Sequence, residues 1–151
     1  MAGDEGGRRF GDPGRGDAVT RAKITQQAPI LFASNLPKTI DYWVEKVGFE
    51  VQGVWGEPPE FAILGRDNAH LMASQAPADH DIVPHWKIKD KLWNAYFWVD
   101  DARAMFDELS QRGAEIDYDL CEQPYNVLEF GIQDPDGHDI AFGQVMNQPD
   151  A

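Results

Sequence analysis

Cysteine is nearly missing from this chain: Cys121 stands alone among 151 residues. An intramolecular disulfide framework is thereby excluded, and the usage agrees with a reducing compartment. With no catalytic partner near it in sequence, Cys121 reads as a small strand side chain, not a nucleophile. Long apolar runs are missing too. No stretch reaches the length of a membrane span, and the N-terminus has no apolar segment of the signal-peptide kind, so a cytoplasmic location is expected. Positive charge is scarce, with 13 Lys and Arg against 26 Asp and Glu for a net charge of −13. Such a balance repels nucleic-acid phosphates and anionic lipid, which removes both as expected partners, and it draws in cations. On charge alone, ordinary solubility is the safer reading.

Large apolar side chains are also almost absent from residues 1–22. There Asp4, Glu5, Asp12 and Asp17 are balanced by Arg8, Arg9, Arg15 and Arg21, so the negative excess lies on the rest of the chain. This segment cannot offset the entropy of ordering and is expected to be a disordered tail. Its Arg15-Gly16-Asp17 triplet is read as an accident of composition. Residues 23–148 are expected to form one domain, and the 42% hydrophobic content of the chain is enough for a core.

What is present is a pattern that occurs twice. Ala28 to Ser34 is a short apolar strand. Asn35 then caps a helix whose stripe is Leu36, Ile40, Trp43, Val44 and Val47, closed by Gly48. Strands are predicted over 49–55, 61–65 and 69–74, followed by an irregular segment from Gln75 to Lys91. The order restarts with a strand over 93–99, a cap at Asp100 or Asp101, a helix carrying Ala102, Met105, Phe106 and Leu109, and a stop at Gly113. Strands over 115–120, 127–133 and 139–146 complete it. From Asn35 to Gly48 and from Asp100 to Gly113 the spacing is 13 residues in both cases. Asp134-Pro-Asp-Gly-His138 is a tight turn by its chemistry, with Pro135 presetting φ and Gly137 accepting positive φ. Asp67-Asn68 has the same layout, with Asn68 in the place of Gly137. The prediction is an α+β fold of two tandem βαβββ units, 28–75 and 92–146, each with its helix on one sheet face and the other face free to form a cleft.

Strand alternation assigns the faces. If Asn94 faces the cleft, Tyr96 and Trp98 join it while Phe97 and Val99 meet the helices. Glu129, Gly131 and Gln133 face inward from the next-to-last strand, and Asp139, Ala141 and Gly143 from the last. The small residues are expected to leave open space, with close strand packing as the alternative. Aromatic walls and carboxylates suit a flat cationic molecule, through stacking and cation–π contact of roughly 0.5–2 kcal/mol per ring. Trp43 is read as core, and Trp86 and Trp93 as pins for the loop. His80 and His85 are read as solvated loop residues.

The Asn35-Leu36-Pro37 helix start, the Tyr42-Trp43 … Val47-Gly48-Phe49 segment and the Asp134-to-Gly137 turn resemble the glyoxalase/bleomycin resistance/extradiol dioxygenase superfamily, the vicinal oxygen chelate proteins, over residues 28–146. The resemblance implies a curved mixed sheet with a cleft. Enzymes of that superfamily hold a divalent metal with His and Glu; by their pattern the positions here are Ala28, Asn94 and Ala141, with Met72 the repeat partner of Ala141. These are not the usual donors, so neither a metal nor a cofactor is expected. The chain is most similar to the bleomycin-binding resistance proteins, in Ala28-Pro29-Ile30-Leu31, in Glu60-Phe61-Ala62 with Arg66-Asp67, in Ala95-Tyr-Phe-Trp-Val99, and in Glu122-Gln-Pro-Tyr125 before Glu129-Phe130. Tyr125 stands where that group has tryptophan. This similarity implies a homodimer with exchanged N-terminal strands, hinged at Pro29, that sequesters a cationic or aromatic small molecule in a cleft between subunits. The ligand-binding residues it implies, together with the face assignment, are Phe32, Trp55, Phe61, His70, Tyr96, Trp98, Tyr125, Glu129 and Asp139. For Phe61 and Trp98 packing against the second subunit is the alternative. A metal-dependent superfamily enzyme, a lyase, isomerase or dioxygenase, is the competing class. In a metal-free enzyme, His70, Glu129 and Asp139 would be the acid–base candidates.

Overall fold

The computed structural model describes residues 19–146; the expected tail lies mostly outside that range, and residues 19–22 within it are exposed and carry no regular structure. In chain order the elements are β1 (Ile30–Ala33), α1 (Leu36–Glu45), β2 (Glu50–Trp55), β3 (Phe61–Arg66), β4 (Ala69–Gln75), α2 (His85–Ile88), β5 (Ala95–Trp98), α3 (Ala102–Arg112), β6 (Glu115–Gln123), β7 (Val127–Gln133) and β8 (Asp139–Val145). They form two four-stranded mixed sheets, ordered β1-β4-β3-β2 and β5-β8-β7-β6. In each, the first strand runs parallel to the last and the other pairings are antiparallel. The architecture is the predicted pair of βαβββ units.

Alternation along the strands makes the core. Leu71 and Ala73 on β4, Ala62 and Leu64 on β3, and Ile140 and Phe142 on β8 are buried, and they pack with Leu36, Trp43 and Leu109 from the helices into one cluster spanning both units. Trp43 is core, as its helical spacing implies. A chain of rings crosses from one unit to the other: Trp43 to Phe49 at 4.9 Å between centroids, Phe49 to Phe97 at 6.0 Å, Phe97 to Phe142 at 5.7 Å and Phe142 to Phe130 at 5.2 Å. Burial of such rings is the largest favourable contribution available to a domain of this size.

Polar contacts tie the units together around that core. Arg66 of β3 donates to the Val47 carbonyl at 2.9 Å and makes a two-pronged pair with Glu108 of α3 at 2.6 and 3.0 Å. The Tyr42 hydroxyl donates to the Gln133 carbonyl and accepts from the Glu115 N–H. In the turn after β7, Asp134 accepts from the backbone of Asp136 and His138 and from the His138 ring at 2.8 Å. Gly137 takes φ 85° there, as its sequence position predicts. Asp136 then reaches across to Ser34 at the end of β1, accepting its hydroxyl and its N–H.

Four local expectations are corrected. The cap of α3 is Asp101, which accepts from the Ala104 N–H at 3.0 Å, so the equal 13-residue spacing does not hold. In the β3–β4 turn the left-handed residue is Asp67, not Asn68. The irregular segment contains the one-turn helix α2, which starts at Pro84 without a side-chain cap. Finally, β6 runs to Gln123, beyond the predicted end at Leu120, because its register shifts twice against β7 and the pairing continues.

Candidate functional site

A cavity of about 690 Å³ lies over the outer face of the second sheet, lined by Trp86 and Trp93 from the inter-unit loop and by Tyr118, Tyr125, Glu129 and Asp139 from the sheet. Its size falls within the range of small-molecule sites. The loop is held over it by real bonds: the Trp86 indole N–H donates to the Gly137 carbonyl at 2.6 Å, and the His85 N–H to the Asn94 side chain at 3.0 Å. Trp86 and Trp93 therefore pin the loop and also line the cavity.

At its centre Glu129 is fully buried and accepts four hydrogen bonds. Tyr96 at 2.7 Å and Tyr125 at 2.8 Å donate to Oε1, while Tyr118 at 2.6 Å and Gln123 at 3.3 Å donate to Oε2. A carboxylate in a low-dielectric place is stable only with such partners, and four donors match its lone-pair capacity. The Trp93 indole N–H in turn donates to the Tyr118 hydroxyl at 3.0 Å. Burial and the bond to Glu129 raise the ionisation of Tyr96 and Tyr118 well above the usual phenol range. The same two causes push Tyr125 up to about 12.

The glycines beneath this cage are occupied positions. The Tyr118 ring lies over Gly131, and the Tyr96 hydroxyl over Gly143, where a Cβ would collide with it. The expectation that these small residues leave open space is thus replaced by its alternative: their absent side chains admit tyrosine rings.

The cavity is acidic as well as aromatic. Asp90, Asp117, Glu129 and Asp139 line it against the single cation Lys91. Asp139, only 7% exposed, accepts from the Gln133 amide at 2.9 Å. Its carboxyl ionises above the usual range, chiefly because it is buried, with the neighbouring Asp117 adding to the shift by charge and by a hydrogen bond. Cys121 is exposed, and the loss of part of its hydration together with the charges of Glu129 and Asp119 holds its thiol in the protonated direction, away from the reactive thiolate.

Of the nine residues expected to bind ligand, Tyr96, Tyr125, Glu129 and Asp139 are gathered on this second sheet. Trp98 flanks them, its ring 4.7 Å from that of Tyr96, but it is 63% exposed and outside the cavity. The other four belong to the first sheet. Phe32, Phe61 and Trp55 share one cross-strand row through Ser74; the Trp55 and Phe61 rings are 6.1 Å apart, and Phe32 leans on His80 at 5.0 Å. His70 Nδ1 is 3.1 Å from the Gln52 side-chain oxygen, and its Nε2 is buried without a hydrogen-bond partner. Tyr118 and Gln123 are site residues that sequence reading did not single out. The signal of Tyr118 was hidden by the bulges of β6, the first of which places it opposite Gly131 and turns it to the cavity face, and Gln123 lies beyond the predicted end of that strand.

The residues at the superfamily's metal positions do not fit a divalent ion. Ala28, Met72 and Ala141 offer no oxygen or nitrogen donor, and the Asn94 carbonyl oxygen is already accepting from His85. Among the described residues no three His, Cys, Asp or Glu side chains converge as a metal site would need, and no helix is long and apolar enough to cross a membrane.

Tandem βαβββ units with a ligand-sized hollow on a sheet face define a class of small α+β proteins. The chain belongs to the glyoxalase/bleomycin resistance protein/dioxygenase superfamily, whose family model matches residues 23–142. No protein of curated function matches the sequence. Among solved structures it is similar to the bleomycin-binding protein from bleomycin-producing Streptomyces verticillus complexed with copper(II)-bleomycin, at 25% identity and TM-score 0.61, covering 81% of this chain and 97% of that one. It is also similar to TnmS3, an antibiotic binding protein from Streptomyces sp. CB03234, at 22% identity and TM-score 0.62, covering 83% and 99%. TioX from Micromonospora sp. ML1 matches at 18% identity and TM-score 0.63, covering 80% and 98%.

Proposed function

We propose that this protein binds and sequesters a cationic or aromatic small molecule, as the bleomycin-resistance branch of its superfamily does, without a metal and without transforming its guest. The observation that carries the reading is the cavity built around Glu129, where aromatic side chains and carboxylates line one space of about 690 Å³. Aromatic walls attract a flat cation by stacking and by the ring quadrupole, worth about 0.5–2 kcal/mol per ring. The acidic surroundings raise the capture rate of such a guest. The similarity to a protein solved with copper(II)-bleomycin points the same way.

The functional unit is read as a homodimer in the cytoplasm. Ile30, Phe32 and Trp55 leave a substantial apolar area of the first sheet uncovered, at 64%, 45% and 52% exposure. A second copy seated there would cover that row and bring Phe32, Trp55, Phe61 and His70 to a ligand held by the other subunit's second sheet.

Titration with bleomycin and a panel of cationic aromatic drugs, followed by tryptophan fluorescence, tests the binding. Trp86 and Trp93 line the cavity, so a bound guest must change their emission. No saturable change with any compound would count decisively against sequestration. Metal analysis after purification tests the competing class, since stoichiometric Ni, Mn, Fe or Zn would favour an enzyme. Sedimentation velocity tests the dimer.

A further inference from the structure

The four donors on Glu129 are not held equally. Tyr118 is fixed from three sides: its hydroxyl donates to Glu129, accepts from Trp93, and its ring lies on Gly131. Tyr96 comes from the interior of β5, with its ring at 4.8 Å from Trp93 and 4.7 Å from Trp98. Gln123 closes β6 and also donates to Cys121. Tyr125 differs. It sits in the three-residue connection between β6 and β7, is 51% exposed, and touches Glu129 through its hydroxyl alone at 2.8 Å, with no ring contact to another aromatic among the described residues.

Resting on the ligand-binding reading above, we infer that Tyr125 is a displaceable plug: it keeps Glu129 covered until the N–H of an organic cation takes the place of its hydroxyl. Glu129 accepts as many bonds as it has lone-pair sites, so a guest can bond to it only by removing a donor. The donor that leaves is the one on a turn, half in solvent, with water ready to satisfy its freed hydroxyl. The guest must bring a donor of its own, because a buried carboxylate with a vacant site is costly. The site is thereby selective for primary ammonium, guanidinium or amidinium groups on an aromatic body, over quaternary cations that attract rings but donate no hydrogen bond. A neutral aromatic can stack in the cavity but leaves the plug in place.

Three fluorescent probes separate these cases: naphthylmethylammonium, its N-trimethylated counterpart and neutral naphthylmethanol. Tyr125→Phe removes the competing hydroxyl and keeps the ring, so naphthylmethylammonium should bind about three- to tenfold more tightly than to the unaltered protein, the loss of one competing hydrogen bond. The other two probes should bind as before. Tyr118→Phe removes a donor at 2.6 Å that is held by Trp93 and by its ring on Gly131 and does not sit on a solvent-facing turn, and should give no such selective gain. In the unaltered protein with carbon-labelled tyrosine, the phenol carbon resonance of Tyr125, assigned by its loss in Y125F, should move on adding naphthylmethylammonium while those of Tyr96 and Tyr118 stay. Equal effects of Y125F and Y118F, or unchanged binding of all three probes to Y125F, overturn the plug and leave sequestration standing. Saturable binding by none of the probes to any form takes down both.

Discussion

Gln75 and Gln144 are counterparts in the two units, each reaching from the end of the last strand to accept the first N–H of the helix in its own unit. Gln75 Oε1 accepts from Leu36 and Gln144 Oε1 from Ala102, both at 2.8 Å. Asn35 and Asp101 accept the N–H groups three residues further on. Each helix start is thus satisfied twice, once by its own cap and once by the strand that closes the sheet behind it. This couples helix placement to the parallel strand pairing that defines each unit.

Replacing Gln75 or Gln144 with Met keeps the length of the side chain and removes the acceptor, and at Gln75 also the amide donor to the Ser34 carbonyl. Each change should lower stability by about 1 kcal/mol, the usual loss for a helix N-terminal acceptor. The two sites share no partner, so the double variant should lose the sum. Urea unfolding measures it; a double variant no weaker than either single one would show that the two helix starts are not independent.

The tandem architecture was legible because its signals were chemical and repeated. Asn35, Gly48, Gly113 and the Pro135–Gly137 turn each have one physical use, and the helix stripes between them have one period. Tyr96, Glu129 and Asp139 were placed on the cavity face because β5, β7 and β8 keep strict alternation. Tyr118 was not, because alternation in β6 would set it with Ile116 and Leu120 on the core side, and only the bulges reverse it. Residues 85–88 gave no helical stripe, since one turn is too short to show a period. Whether Gly131 and Gly143 opened or closed space depended on where the tyrosines lay, which no count along one strand records.

Glycine at 131 and 143 should prove essential for the Glu129 cage. Gly131→Ala puts a methyl group into the Tyr118 ring, and Gly143→Ala puts one against the Tyr96 hydroxyl. Neither tyrosine can retreat without giving up its bond to Glu129. Each variant should lose about 1–3 kcal/mol, as overpacked sites do, and Trp93 emission should change in G131A because its partner Tyr118 moves. Wild-type stability in both variants would mean that the rings are loosely placed.

Glu108 gives the inter-unit clamp a pH dependence. Its carboxyl ionises below the usual range, first because Arg66 donates to it, and also because Arg112 does. A group lowered in the folded state adds stability that is present above its ordinary range, about 4.3, and disappears as the pH falls through the lowered value. Glu108 is about one-third exposed, at 34%, so the contribution is small. Glu108→Gln should cost at most about 1 kcal/mol at neutral pH, and the gap should close in acid and in high salt. A gap that persists in acid and in high salt alike would point to packing instead of charge.

Asp139 should behave in the opposite sense. Its folded carboxyl holds its proton more firmly than in the unfolded chain, because it is buried and has Asp117 beside it, with the Gln133 amide only partly offsetting this. The folded state therefore binds more protons than the unfolded one above the ordinary aspartate range, about 3.9, and stability falls as the pH rises through that window. Asp139→Asn keeps an oxygen for Gln133 and removes the charge. At pH about 7 the variant should be more stable than the unaltered protein, and the advantage should vanish in acid, where both side chains are neutral. The same change takes a negative charge out of the cavity, so naphthylmethylammonium should bind D139N more weakly while naphthylmethanol binds equally. A binding site that carries a destabilising charge for its ligand shows this exchange of affinity for stability. A variant less stable than the original across the whole pH range would mean that Asp139 is a structural residue, and its place in the ligand's surroundings would have to be given up.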